Sequence, residues 1–149
     1  MTAVQFQLEQ PELEFTASGG STVRRTVLPS GVRVLTETVP GAQSASVSFA
    51  VAVGSRDEVD GHHGSTHFLE HLLFKGTEER SARSIATAVD AVGGEMNAYT
   101  SREHTAYYLR LPVSELHAGV ELLADVVSAP AFRPAELDAE RARRDRDEP

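Results

Sequence analysis

Thirteen residues near the middle of the chain, Gly64-Ser65-Thr66-His67-Phe68-Leu69-Glu70-His71-Leu72-Leu73-Phe74-Lys75-Gly76, leave little freedom in how they can fold. As a helix they gather Phe68, Leu69, Leu72 and Leu73 into an apolar stripe that must be buried, and they carry His67 and His71 one turn apart with Glu70 beside them. Two imidazoles at that spacing can hold one zinc ion. Zinc takes neutral histidine nitrogen readily, and a catalytic site adds a third protein ligand and an open position for water, whose pKa the metal lowers to near neutrality. Glu70 is then placed to take that water's proton. The competing interpretation is a pair of ordinary core histidines on a packed helix.

Length and composition narrow the rest. With 149 residues, 40% of them hydrophobic, the chain suits one globular domain with a core. A net charge of -8 argues against nucleic acid or an anionic membrane surface as partner. There is no cysteine, so zinc would be held by histidine and carboxylate alone. The first residues lack a basic start and an apolar run, Glu9, Glu12 and Glu14 are wrong for a transit peptide, and no stretch approaches a membrane span. A cytoplasmic location is expected.

Taken in order, residues 1–21 end in Ser18-Gly19-Gly20-Ser21 and read as a flexible arm with at most a short extended piece. The domain proper then covers residues 22–149. Val23 to Val27 and Val32 to Thr38 flank the turn Pro29-Ser30-Gly31 as a hairpin, and a third strand follows Pro40-Gly41. In that strand Val47, Phe49, Val51 and Val53 share one face, and the small residues Ser46, Ser48, Ala50 and Ala52 on the other imply close packing against it. His62 and His63 lie in a polar loop and read as exposed. Ser81 caps a helix through Ile85, Val89 and Val92 that stops at Gly93-Gly94. A second hairpin pairs Glu95–Thr100 with His104–Leu111, in which His104 reads as a plain strand residue and Tyr107-Tyr108 as packing. A helix then runs from about Ser114 to before Pro130, and a last one starts at Pro134, with no apolar stripe in its run Arg141 to Glu148. The pattern is α+β, with a mainly antiparallel sheet and helices packed against it.

From Gly64 to Thr77 the sequence resembles the active-site helix of the insulinase, pitrilysin and mitochondrial processing peptidase family, whose inverted order His-x-x-Glu-His defines the inverzincins. Leu28 to Val34, Val53 to Glu58, Val92 to Thr100 and Pro130 to Pro134 look like the family's matching blocks, so the likeness runs from about Val23 to Arg141. It implies the family's α+β domain, incomplete here, and a zinc endopeptidase in which His67 and His71 bind Zn2+ and Glu70 is the general base. It also implies that Asn97, Ala98 and Tyr99 lie on an edge strand receiving extended peptide, and that Glu140 is an acidic residue of the distal helix supporting catalysis. The family's third ligand, a glutamate about 75 residues past the second histidine, has no clear counterpart: Asp147 falls at that spacing and Glu148 one step on, roughly 100° around the helix.

Beyond Arg141 the family's apolar helix gives way to alternating arginine and acid. The expectation is a shortened product that needs a homologous second domain or subunit to work on its peptide substrate. Two alternatives stand beside it: a non-catalytic peptide-binding or partner subunit, and an inactive fragment.

Overall fold

The computed structural model describes residues 12–147, with side chains described as far as Arg143. Two compact units divide the chain, one up to Ala42 and the other from Gln43 onward. The first is a three-stranded antiparallel meander of β1 (Glu12–Thr16), β2 (Thr22–Val27) and β3 (Arg33–Thr38), in that order. Opposing Val27 with Arg33 confirms the hairpin expected around Pro29-Ser30-Gly31. β1, however, falls inside the expected arm. Leu13 and Phe15 alternate as its half-buried face, and Gly19 and Gly20, at φ 90° and 82°, turn the chain so that Thr16 meets Thr22. The Ser-Gly-Gly run is thus a turn between paired strands, while residues 1–11 of the arm lie outside the described residues.

The second unit holds β4 (Ser44–Val51), α1 (Ser65–Leu73), α2 (Ala82–Ala91), β5 (Glu95–Thr100), β6 (Thr105–Pro112), α3 (Leu116–Ser128) and α4 (Pro134–Asp147). Its sheet has the order β4-β6-β5, antiparallel throughout, so the expected antiparallel sheet is realised as two three-stranded ones. β6 is central, and its residues Tyr107, Leu109 and Leu111 form the core together with Leu73, Ile85, Val89, Leu122, Leu123 and Val126 from the helices. Two of the helices follow their apolar spacing: Ile85 and Val89 are four apart on α2, and Leu122, Leu123 and Val126 cluster on α3. α3 approaches β6 so closely at Gly119 that an added Cβ would lie 2.2 Å from Leu111 Cδ2.

Two expectations about faces need correction. Ser46, Ser48 and Ala50 of β4 are exposed, because the helices pack on the opposite face through Ala45, Val47 and Val51. Leu69 is 45% exposed: α1 rests on the core through Leu72 and Leu73, and a stripe four residues wide is broader than the contact it makes. No helix among the described residues is long and apolar enough to cross a membrane.

Leu109 is 1% exposed at the centre of this core. Leu109→Ala is expected to lower stability by about 2–5 kcal/mol, read as a fall in the urea midpoint with the slope unchanged.

Candidate metal centre

α1 lifts its polar residues to one end of the sheet by burying Leu72 and Leu73. The 3.6-residue period then brings the His67 and His71 rings edge to face, 4.5 Å between centroids, with their Nε2 atoms 3.0 Å apart. A ligand atom from each of His67, Glu70 and His71 lies within 4.8 Å of the others.

The remaining polar atoms of this cluster are held from outside α1. His71 Nδ1 faces Glu140 Oε1 of α4 at 2.8 Å, and Glu140 Oε2 accepts a hydrogen bond from Lys75 Nζ, also at 2.8 Å. Glu140 is buried, 5% exposed, with the Arg143 guanidinium 3.7 Å from Oε1. Burial by itself raises its pKa. The hydrogen bond and charge of Lys75, then the His71 hydrogen bond and the Arg143 charge, outweigh that and hold the carboxyl below its usual range. An ionised Glu140 accepts a hydrogen bond from His71 Nδ1–H, which leaves the Nε2 lone pair facing His67.

Glu70 is buried as well, and Thr100 at the end of β5 donates its hydroxyl to Glu70 Oε2. Nearby Tyr107 is pushed up to about 12 by burial and then by the Glu70 charge, so its phenol stays protonated beside the carboxylate. Glu70 is thus buried beside Tyr107, with one oxygen held by Thr100.

This donor set fits zinc. Ligand nitrogens at about 2.0–2.1 Å from zinc in a tetrahedral site stand roughly 3.3 Å apart, close to the 3.0 Å between the two Nε2 atoms. A carboxylate on the far ring nitrogen is the usual support for a zinc-bound imidazole.

Asn97 and Tyr99 are exposed on β5 and Ala98 is half-buried; β5 is an edge of its sheet, and Asn97 Oδ1 accepts the Ala98 N–H at 2.9 Å. Asp147 closes α4, but its side chain and all of Glu148 lie outside the described residues. His62 and His63 are exposed, and His104 sits just before β6, 3.2 Å from the Tyr99 hydroxyl and 3.1 Å from Ser101 Oγ. Sequence reasoning missed Lys75, Thr100 and Tyr107. Lys75 sat in plain view one turn past His71, but only the fold shows which carboxylate it meets.

The Glu140 carboxyl has a folded pKa below its ordinary 4.5, so between the two values the unfolded chain binds the extra proton and stability rises with pH. This contribution is complete above the ordinary value and is lost as pH falls through the lowered one. Lys75→Met, which removes the strongest of the charge-favouring partners, is expected to flatten the stability curve below about pH 4.5, measured as urea midpoints across an acid series.

Known proteins resemble this chain over most of its length. The sequence model of the insulinase family, peptidase family M16, matches residues 33–148. An uncharacterized zinc protease of Streptomyces coelicolor is 48% identical over 123 residues, covering 83% of this chain and 27% of that protein. The probable mitochondrial-processing peptidase subunit beta of Arabidopsis thaliana is 41% identical over 118 residues, 79% of this chain and 22% of that one. A crystal structure of a protease from Helicobacter pylori matches with a TM-score of 0.75 and 31% identity, covering 79% of this chain and 28% of that chain. The chain spans about a quarter of the length of the curated relatives it matches. With more than two thirds of its residues inside the family match, this chain belongs to the insulinase family of peptidases.

Proposed function

We propose that this chain is the catalytic N-terminal part of a zinc endopeptidase, with His67 and His71 as metal ligands and Glu70 as the general base. The observation that carries it is the convergence of the two Nε2 atoms at 3.0 Å while His71 Nδ1 is engaged by buried Glu140. The third ligand is the carboxylate of Asp147, the last residue of α4, or that of Glu148. When bound, zinc supplies a Lewis acid that lowers the pKa of water and polarises the peptide carbonyl. Glu70 takes the proton of the attacking water on Oε1, since Thr100 holds Oε2, and hands it to the leaving amine. Glu140 is a positioning residue, orienting His71 and keeping its Nδ1 protonated.

Peptide is held by β5, with Asn97, Ala98 and Tyr99 as its contact residues. The Ala98 N–H is met by the Asn97 side chain, which makes it the donor an extended peptide takes over when Asn97 rotates away. Thr100, two residues on, touches Glu70, so peptide running along this edge is led to the base. A homologous second domain or subunit completes the site, in keeping with relatives more than three times as long.

Elemental analysis of the purified chain tests the metal. Stoichiometric zinc, kept in Glu70→Gln and lost in His71→Ala, is expected; the Asp147→Ala, Glu148→Ala double variant identifies the third ligand by its loss. Metal-free wild-type protein after zinc loading would sink the proposal. Where peptide hydrolysis is measurable, Glu70→Gln should lower it about 10²–10⁴-fold.

Edge pairing has its own test. Ala98→Pro removes one outward donor and is expected to weaken binding of a fluorescent peptide about tenfold, near the upper value of one hydrogen bond. Unchanged anisotropy titrations would place the peptide elsewhere.

A further inference from the structure

α1 begins without a capping side chain of its own. Its N-cap is Gly64, at φ 83°, and no acidic residue stands in its first turn. Nine residues are too few for a helix to be stable on propensity alone. The Ser65 N–H bonds the His62 carbonyl, and two further N–H groups at that end are met by Glu58, six residues upstream of Gly64: Oε2 accepts the Gly64 N–H at 2.8 Å and Oε1 accepts the Thr66 N–H at 2.9 Å. Those bonds, Thr66 first and then Gly64, hold the Glu58 carboxyl below its usual range. His67 is the next residue after Thr66.

Glu58 is itself held in place. It follows a single 3-10 turn, Ser55–Asp57, whose Asp57 Oδ2 accepts the Gly54 N–H at 2.9 Å. Ser55 and Arg56 donate backbone N–H groups to the carbonyls of Ser101 and Arg102 at 3.0 and 3.1 Å; the exposed Arg56–Glu103 pair, 2.7 Å, contributes little beside them. Gly54 lies so near that turn that an added Cβ would be 2.5 Å from the Arg102 carbonyl. One loop therefore joins the β5–β6 turn, directly after Thr100, to the start of α1, directly before His67.

We infer that Glu58 is a positioning residue of the metal centre: as an external cap it fixes the first turn of α1, and with it the His67 ring, relative to His71 and Glu70. This deepens the zinc-peptidase reading and rests on it for its metal. Gln cannot replace Glu58, because its amide offers one acceptor and turns a donor toward the second N–H.

Glu58→Gln and Glu58→Asp are compared with wild type and with Glu103→Gln, which breaks only the exposed pair with Arg56. In the metal-free chain, NMR reads amide exchange at Thr66 and the contact between the His67 and His71 rings; Co2+ then reports the site through its visible absorption, and Zn2+ affinity comes from chelator competition. Glu58→Gln is expected to speed Thr66 exchange, weaken the ring contact and lower Zn2+ affinity about tenfold, with an altered Co2+ band. Glu103→Gln should leave all of these unchanged, and Glu58→Asp should recover part of the affinity. Faster Thr66 exchange with ring contact, Co2+ band and Zn2+ affinity unchanged would overturn the inference, leaving Glu58 an ordinary helix cap. If wild type takes up no metal, the zinc reading fails, while the ring contact still decides whether Glu58 positions His67.

Discussion

The ion pair and hydrogen bond that meet at Glu140 bind α1 to α4, and the geometry of the candidate metal centre depends on them. A buried carboxylate facing a lone imidazole is costly, since two groups then compete for one proton away from water. Lys75 changes that balance: its ammonium keeps Glu140 ionised, so His71 must keep its Nδ1 proton and present Nε2 to the cluster. The lysine touches no proposed ligand, yet it sets the tautomer of one.

Much of this was legible in the residues. The spacing of His67, Glu70 and His71 forces them onto one helical face whatever the rest of the chain does. The hairpins declared themselves through alternation and turn residues, and Pro134 marked the start of α4. Local periodicity settles local structure because each signal is read within one or two turns of chain.

What stayed hidden is long-range. That β4 pairs with β6 and that Thr100 reaches Glu70 are facts of tertiary folding that no window of ten residues contains. Glu12–Thr16 looked like an arm because Ser18-Gly19-Gly20 is equally good as a linker and as a turn, and only the pairing with β2 separates the two. Glu58 closes one of the blocks that resemble the family, but its contact was silent: an external cap six residues from its helix follows no local motif.

The distance along the chain between His71 and Glu140 has a kinetic side. Sixty-nine residues separate them, whereas α1 and the β5–β6 hairpin form from neighbours in sequence. Closing so large a loop costs chain entropy before any contact rewards it, so the α1–α4 junction belongs to the late, topology-limited part of folding. The His67–Glu70–His71 cluster with its Glu140 support is then among the last features to assemble. A competent site reports that the unit from β4 to α4 has folded throughout.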